Sequence, residues 1–588
     1  MRYAELSTYF EKLEQVASRL TLIEILSELF REIASNATDA SEIEKIVYLI
    51  QGRLAPFFVP LEIGMAEKTV AQAIANAYGL KKEDVFRLYQ KLGDMGLAAE
   101  QLSSEFRIQN SELTVKEVAG ILTEIANTKG EGTVEKRQKL LSDLLQKIDP
   151  ISAKHLVRIP LGNTRLGIGD PTVLDALATA KLGDKSKRKV LEAAYNRTSD
   201  LGLIAKTLWN KGLLGVEKLE VRVGAPIRSE LCERLPTPEK VIEKMKEVDV
   251  QYKYDGFRVQ IHKKGDEIRM FSRNLEEMTH MFPELIEAAK KQIKADSVIL
   301  DSEALAYNPE SEEFLPFQET TKRRRKHNIL EMADKLPLKA FVFDILYKNG
   351  KQLLDEPLFK RMEILKEVIG EDDVLIRTKN QTVKDAKTLG ILLEDAISKG
   401  LEGLVVKRLE SPYEAGGRNF NWVKLKRHSS GELTDTIDCV ILGYITGKGK
   451  RAEFGAGALL VGLYDSDKDE FVTVSKIGTG LTDEEWREIH KRADRIKLDK
   501  KPARVNSQII PSVWITPQIV IEVLADEITR SPIHTAGAST SSASGEKEPG
   551  YALRFPRLIS FRSADKKAED ATTVAELVEM SLQQGKKE

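Results

Sequence analysis

The residues with the clearest chemical signature lie in the segment 253–258, which reads KYDGFR. Its lysine, Lys253, ends an alternating stretch of the β type, and a turn with an acidic residue and a glycine follows. A lysine that is partly buried near other cations has a lowered pKa and becomes a nucleophile. A lone lysine at a strand end is usually a solvated surface residue, but the spacing Lys-x-Asp-Gly-x-Arg rarely arises by chance. The segment therefore predicts covalent catalysis by Lys253.

Further polar residues accompany predicted strands later in the chain. They lie in the segments 272–274 (SRN), 300–303 (LDSE), 341–346 (FVFDIL), 401–407 (LEGLVVK) and 422–426 (WVKLK). We expect the carboxylates of the second segment just after a strand that ends at Leu300, and the two lysines of the last segment on one strand face. Each segment alone is typical of an ordinary strand end. Together they predict a pocket with cations for phosphates, carboxylates for Mg²⁺ and an aromatic ring for a base.

The elements that must position this pocket change in type along the chain. Residues 1–215 have apolar side chains at a spacing of three to four, which predicts helices. Two segments there, 61–75 and 164–178, resemble each other at a constant offset of 164 − 61 = 103 residues. Each predicts a loop that leads into a helix N-terminus, where free backbone N–H groups suit a phosphate. A repeated packing unit without a ligand is the other interpretation.

Three domains are predicted from the changes in pattern. Prolines break the helical pattern near 218–238, and β-type alternation mixed with helices then predicts an α+β domain. Short strands separated by glycine-rich turns in the last part predict a small β-barrel of the OB-fold type. The expected domains are an all-α domain, an α+β domain and a β-barrel domain, at 1–218, 219–428 and 429–588, with a linker around 427–432.

Composition excludes several classes of protein. The 588 residues include 90 Lys+Arg and 91 Asp+Glu, so the net charge of −1 excludes a globally basic nucleic-acid coat protein. A local basic segment, 322–327 (KRRRKH), is either a DNA-backbone contact or a solvated helix face. Two cysteines can form neither a zinc cage of cysteines alone nor a disulfide scaffold. The sequence has no signal peptide and no run of about 18 apolar residues, so we expect a cytoplasmic protein without membrane contact.

In their order and spacing, these segments closely resemble the nucleotidyltransferase motifs of ATP-dependent DNA ligases, above all the archaeal replicative type and the related eukaryotic enzymes. The segment 161–178 (LGNTRLGIGDPTVLDALA) is similar to that family's DNA-binding domain, and 316–319 (PFQE) and 553–557 (LRFPR) are similar to the subgroup. The resemblance covers nearly the whole chain. It implies nick sealing in duplex DNA through a covalent lysyl-AMP, with ATP and Mg²⁺ as cofactors, in replication, repair and recombination.

The resemblance also implies roles for the residues of the first half of the site. Lys253 would be the residue that becomes adenylylated. Arg258 and Arg273 would contact ribose or phosphate. Glu303 would bind the ribose side and support the metal, and Phe343 would stack on adenine.

Residues further along the chain complete the implied site. Glu402 would support Mg²⁺, while Arg418 and Lys424 would contact the nucleotide phosphates. Lys407 and Lys426 would add charge stabilisation. Nicked double-stranded DNA is the implied partner, a sliding clamp is a further one, and nothing in the sequence requires more than a monomer.

Two segments depart from the family's pattern. The family usually has glutamate two positions before the lysine, where it reads the adenine amino group, and this chain has Gln251. The amide oxygen of Gln251 can accept that hydrogen bond, but its NH₂ group could instead donate to a different base edge. The last motif is typically Arg-x-Asp-Lys, and the segment 562–566 (RSADK) has one residue more. Its role in orienting pyrophosphate would then involve shifted geometry.

Two alternatives stay open at this point. An RNA ligase or a capping-type guanylyltransferase shares the lysine motif, although the large helical part argues against both. A non-catalytic DNA-binding protein with a degenerate pocket is the other, although Lys253, Glu303, Glu402 and Lys424 are all in place. An NAD⁺-dependent ligase is disfavoured because the chain cannot form a zinc finger with four cysteines.

Overall fold

The structure is a computed structural model. It describes residues 1–588 except 17, 37–40, 107–110, 309–312, 316–319, 325–327, 371–372, 399–400, 427–434, 447–454, 479–480, 526, 532, 539–547, 555, 564–565 and 585–588. The predicted linker 427–432 and the segment 316–319 therefore lie outside the described residues, as do parts of 322–327, 553–557 and 562–566.

The first part of the chain is helical, as the apolar spacing predicts. Leu6, Phe10 and Leu13 illustrate the cause, because each is almost fully buried in one apolar core that joins these helices. The last helix of this part breaks at Gly212, whose φ is 65°. The helices are Tyr3–Glu14, Arg19–Asn36, Ser41–Ile50, Glu67–Tyr78, Lys82–Leu92, Met95–Ser104, Val115–Asn127, Thr133–Leu145, Pro150–Arg158, Asp170–Leu182, Arg188–Thr198 and Leu201–Glu217.

The two similar segments of the helical part have the predicted structure. Gly64 and Gly167, which are 103 positions apart, both have positive φ, 42° and 65°. Each precedes a helix by three residues, since the helices begin at Glu67 and Asp170. The prediction of two loops that lead into helix N-termini is confirmed, and the phosphate ligand stays a prediction.

The central part has two mixed sheets with helices on their outer sides. Its strands are β1 (Leu231–Arg234), β2 (Val248–Lys253), β3 (Phe257–Lys264), β4 (Glu267–Ser272), β5 (Ser297–Asn308), β6 (Glu313–Phe314), β7 (Leu338–Lys348), β8 (Lys351–Gln352), β9 (Leu375–Arg377), β10 (Asn380–Val383), β11 (Gly403–Arg408) and β12 (Arg418–Lys426). Its helices are Pro238–Met245, Pro283–Gln292, Ile329–Lys335, Leu358–Val368 and Ala386–Ser398.

The order of the strands defines the two sheets. The first sheet has the order β1-β12-β11-β2-β10, and the second has the order β4-β3-β5-β7-β8, with β6 beside β5 and β9 beside β7. Apolar side chains on one face of each sheet pack against helices in separate cores. The opposite faces are polar and contact each other, since Lys407 Nζ on β11 donates to the carbonyl oxygen of Phe343 on β7 at 3.1 Å. The site lies between these two polar faces.

The last part of the chain is mainly β. Its strands are β13 (Ile437–Ile445), β14 (Ala458–Asp465), β15 (Glu470–Ile477), β16 (Lys497–Leu498), β17 (Val505–Asn506), β18 (Val513–Ile515), β19 (Val520–Leu524), β20 (Glu527–Ser531), β21 (Gly550–Arg554) and β22 (Arg557–Phe561), and its helices are Asp483–Asp494 and Val574–Gln584. The larger sheet has the order β16-β18-β13-β14-β15-β17, with β19 between β13 and β22. Among the described strands no ladder joins the two ends of this sheet, so the OB-fold barrel stays a prediction.

Within the described ranges, no helix combines the length and the apolar character that crossing a bilayer requires.

Candidate active site

Lys253 is the last residue of β2, as predicted, and it pairs with Gly403 on β11. Its Nζ atom forms an ion pair with the carboxylate of Glu402, and about a quarter of its side chain is exposed. Gly403 permits this arrangement because its φ is 141° and because a Cβ there would collide with the carbonyl oxygen of Leu425. The tight backbone at Gly403 therefore places Glu402 beside the lysine.

The pKa of Lys253 differs in direction from the prediction. Burial lowers this pKa, but the charge and hydrogen bond of Glu402 outweigh burial, so the pKa is raised above 10.5. The prediction that neighbouring cations lower the pKa of Lys253 is wrong for this state of the protein, because its nearest charged neighbour is a carboxylate.

Three carboxylates lie around the lysine. Burial raises the pKa of Glu402, but the charges of Lys253 and Lys426 reverse this effect and hold the pKa at about 2. Burial and the charge of Glu402 raise the pKa of Asp255 to about 6. Burial also raises the pKa of Glu303 to about 7, although Lys253 lowers it. The cluster thus contains one firmly ionised carboxylate and two that are poorly balanced by cations.

Glu303 lies in the middle of a strand and not after its end. The prediction that the strand stops at Leu300 is wrong, since β5 continues to Asn308. Ser302 and Ala304 keep the buried side of the alternation, whereas Asp301 and Glu303 point to the polar layer between the sheets. A strand face that lines a charged layer accepts carboxylates, and apolar patterning alone does not reveal this.

Arg258 pairs directly with Glu303 across β3 and β5, but its guanidinium binds other groups. Its Nε donates to Asp301 at 2.8 Å, its Nη1 to the carbonyl oxygen of Glu230 at 3.1 Å, and its Nη2 to the hydroxyl of Tyr413 at 3.1 Å. Most of its donors are therefore engaged within the protein, which fixes the guanidinium beside the pocket.

Phe343 lies in a group of aromatic and cationic side chains. Its ring is 6.0 Å from that of Trp422 in an edge-to-face arrangement, and Lys407 Nζ is 4.8 Å from its centre. A second aromatic pair, Tyr254 stacked on Phe341 at 3.9 Å, joins the segments 253–258 and 341–346. Sequence reasoning missed this pair, although both residues belong to the segments that it singled out.

Arg418 and Lys424 lie at the first and seventh positions of β12, next to the helix Val574–Gln584. Both face Glu576 of that helix, which forms an ion pair with Arg418 and lies 3.7 Å from Lys424. Burial raises the pKa of Glu576, but these two cations reverse the effect and lower the pKa to about 2. Glu576, from the last part of the chain, thus neutralises the two cations, Arg418 and Lys424, that are predicted to contact phosphates.

The structure brings Gln251, Lys253, Glu303 and Glu402 to the two facing polar layers. Arg273, by contrast, is exposed just after β4. Burial lowers the pKa of Lys566, and the charge of Arg273 lowers it further. Lys426 approaches Glu402 at 3.4 Å. Functional candidates that sequence reasoning left unassigned are Asp249, Asp255, Asp301, Asp344 and Arg361, of which Asp255, Asp301 and Asp344 lie inside segments that it quoted.

Comparison with known proteins identifies the arrangement. Three family models match this chain: "ATP dependent DNA ligase domain" at 229–426, "DNA ligase N terminus" at 2–178 and "ATP dependent DNA ligase C terminal region" at 452–566. Among solved structures, the mycobacterial DNA ligase D complexed with ATP and MES covers 59% of this chain and 97% of its own at 21% identity and a TM-score of 0.32, so that overlap is only partial.

Similar relatives span the full length. A "Probable DNA ligase" of Dictyoglomus turgidum is 48% identical over 99% of this chain and 97% of its own length. The "DNA ligase" of Sulfolobus acidocaldarius is 38% identical over 99% of this chain and 98% of its own. These matches confirm the predicted resemblance and the predicted enzyme class. The chain belongs to the ATP-dependent DNA ligase family.

Proposed function

We propose that Lys253 carries the AMP in an ATP-dependent reaction that seals nicks in duplex DNA. The observation that supports this assignment most strongly is the position of its amine. The amine lies at a rigid strand end, largely buried, in contact with Glu402 and close enough to Glu303 for the two charges to interact. Covalent catalysis suits such a lysine, because the activated nucleotide stays on the enzyme until a nick binds.

The first step requires a neutral amine. Lys253 Nζ attacks the α-phosphorus of ATP, so that an N–P bond forms while the P–O bond to pyrophosphate breaks. The attacking amine loses a proton, and Glu402 opposes this loss as long as the two are paired. Once the charge of Glu402 is directed elsewhere, burial is opposed only by weaker influences such as the charge of Glu303, and the pKa of Lys253 falls. The ion pair therefore keeps the amine unreactive until the site is loaded.

The carboxylates fit a divalent cation. Asp255, Glu303 and Glu402 supply hard oxygen ligands, and the raised pKa values of the first two indicate excess negative charge that a cation would balance. Mg²⁺ held by Glu303 and Glu402 would neutralise charge on the phosphate oxygens. Arg418 and Lys424 would contribute positive charge from β12, after Glu576 has moved away.

The other nucleotide contacts are proposed from the family resemblance, since the structure leaves Arg273 exposed just after β4. Phe343 would stack on adenine, Gln251 would contact its 6-position, and Arg258 and Arg273 would face the ribose and phosphate. The AMP then passes to the 5′-phosphate at the nick, where a P–O–P linkage forms as the N–P bond breaks. Finally the 3′-hydroxyl oxygen attacks that phosphorus, AMP leaves, and the hydroxyl proton goes to solvent.

The three predicted domains would divide the remaining tasks. The helical domain 1–218 would hold DNA phosphates at the helix N-termini of its two similar segments. The predicted OB-fold domain 429–588 would close on the duplex from the other side. We further propose that the protein acts as a monomer in the cytoplasm, where its two free cysteines would persist, in replication, repair and recombination, with a sliding clamp as a candidate partner.

Self-labelling tests the assignment. Purified protein is incubated with Mg²⁺ and α-labelled ATP, GTP or NAD⁺ in parallel, beside Lys253→Ala, and then run on a denaturing gel. Label from ATP that vanishes in K253A supports the proposal, and sealing of a nicked duplex by the labelled protein completes it. Label that persists in K253A would refute the role of Lys253. Label from GTP alone would favour the guanylyltransferase alternative. No label after pyrophosphate treatment, which removes any AMP already bound, would favour a non-catalytic DNA-binding protein.

A further inference from the structure

Gln251 is held in one orientation by a second buried residue. Only 2% of its surface is exposed, and its Nε2 atom donates to Asp249 Oδ2 at 2.9 Å. Asp249, Gln251 and Lys253 alternate along β2, so all three point to the polar layer between the sheets. Gln251 and Lys253 are two positions apart on the strand, so their backbones are about 7 Å apart. The amide therefore lies in the same pocket as the amine.

Asp249 is itself fixed on both of its oxygens. Its Oδ1 accepts a hydrogen bond from Asn380 Nδ2 at 2.9 Å, and its side chain is almost fully buried. Burial raises the pKa of Asp249, and the hydrogen bond from Asn380 and the charge of Lys407 offset this rise only in part. Both of its oxygens nevertheless face amide NH₂ groups, as an ionised carboxylate requires. An ionised carboxylate only accepts hydrogen bonds. A flipped Gln251 would thus place its oxygen against Oδ2, and two acceptors would be left unpaired in a buried site.

The oxygen of Gln251 remains available to a ligand. Within the described part of the chain, no hydrogen bond reaches Gln251 Oε1, although the side chain that carries it is buried. Because Oε1 is not among the fully buried side-chain atoms that lack a partner in the described ranges, it keeps some accessible surface. The arrangement therefore offers a pure acceptor to whatever fills the pocket.

We propose that Asp249 is a positioning residue that locks the Gln251 amide with its oxygen toward the nucleotide, and that this pair selects a 6-amino purine over a 6-oxo purine. The inference rests on the proposed function of this site. An amino group at the 6-position donates to Gln251 Oε1, whereas an oxo group there would oppose it as a second acceptor. Sites built to hydrogen-bond one group reject an analogue that leaves buried atoms unpaired. Gln251, whose amide could by itself donate or accept, thereby presents only its acceptor oxygen to the base.

Asp249→Asn tests the lock. An amide at position 249 offers both a donor and an acceptor, so that Gln251 can adopt either orientation at similar cost. The rates of self-labelling from ATP and from inosine triphosphate, whose base carries a 6-oxo group, are compared at pH 8. We expect D249N to lower the ratio of the ATP rate to the inosine triphosphate rate at least tenfold. Glu247→Gln is the matched control, because Glu247 forms an exposed pair with Lys384 at 3.2 Å, two residues before Asp249.

A rescue variant separates positioning from a general structural effect. In the double variant D249N/Q251E the acid and the amide exchange places, and the carboxylate at position 251 is an acceptor in every orientation. We expect this exchange to restore the preference for ATP. Gln251→Met removes both polar atoms and should abolish the preference, which provides a test even if D249N fails to fold.

The outcomes distinguish this inference from the proposed function. A wild-type ratio in D249N or in Q251M would overturn the role of the pair, and so would a double variant that stays as unselective as D249N. Equal labelling of the wild type by both nucleotides would overturn the inference and leave the proposed function intact. No labelling of the wild type by either nucleotide would count against the proposed function itself.

Discussion

At the scale of single residues, Glu402 controls the protonation of Lys253, and the sign of this control is testable. Glu402→Gln keeps the size of the side chain and removes its charge, so that burial dominates the lysine. The pKa of Lys253 should then fall below its ordinary value of about 10.4. NMR of reductively ¹³C-methylated protein measures this pKa directly. The exposed Glu410→Gln serves as the control, and an unchanged or higher pKa in E402Q would contradict the expectation.

Glu303 is a residue whose placement costs stability. Burial raises its pKa from 4.5 to about 7, so between these pH values the folded protein binds more protons than the unfolded chain. Stability therefore falls as pH rises through this window. Glu303→Gln should raise the free energy of unfolding at pH 8 by roughly 1–3 kcal/mol, a range that allows for screening of the partly exposed group. At pH 4 the carboxyl is largely protonated in both states, so the effect should be much smaller. Thermal unfolding at both pH values is the measurement, and an equal shift at both would contradict this account.

At the scale of elements, a buried ion pair attaches the helix Leu358–Val368 to β7. Arg361 Nε and Nη2 donate to Asp344 at 2.8 and 3.1 Å, and neither side chain is exposed. Asp344→Asn would leave the guanidinium uncompensated, at a cost of about 3–5 kcal/mol. Urea unfolding measures this cost. Glu287→Gln at the exposed pair with Lys290 should change stability by less than about 1 kcal/mol, and a similar effect of both variants would contradict the prediction.

Three other elements, the strands β2, β5 and β12, show how far sequence reasoning reaches. Periodicity predicts β2 to end at Lys253, and it predicts the two lysines of β12 on one face, because both depend only on neighbours along the chain. The partners of the buried charges depend on tertiary contacts. Arg258 pairs with Asp301, 43 positions away, and no local pattern indicates this choice. The length of β5 was missed for a related reason, since its carboxylates are tolerated only because the facing sheet is polar.

At the scale of the whole molecule, the last part of the chain contacts both preceding parts. Asp469, buried in the turn between β14 and β15, accepts a hydrogen bond from Thr172 at 2.9 Å and pairs with Arg504 at 2.5 Å. Thr172 lies in the first turn of a helix whose N-terminus is one of the two predicted phosphate sites. A carboxylate thus lies near one predicted phosphate site, as Glu576 does at Arg418 and Lys424. The described arrangement is closed, and phosphates would have to displace acidic side chains in order to bind.

Glu576→Gln tests this competition at the nucleotide site. Binding to a site that is only partly accessible is weakened by the accessible fraction, so removal of the competing charge should lower the KM for ATP in self-labelling several-fold. Glutamine still accepts the hydrogen bond from the backbone N–H of Thr573, which Glu576 receives at 2.9 Å, so the start of the helix is preserved. Glu579→Gln, one turn further along this helix, is the comparison: its charge also acts on Lys424, but no ion pair joins Glu579 to Arg418 among the described residues, so its effect on the KM should be smaller. A KM for ATP that is unchanged or higher in E576Q would show that the acidic side chain does not compete with the phosphates.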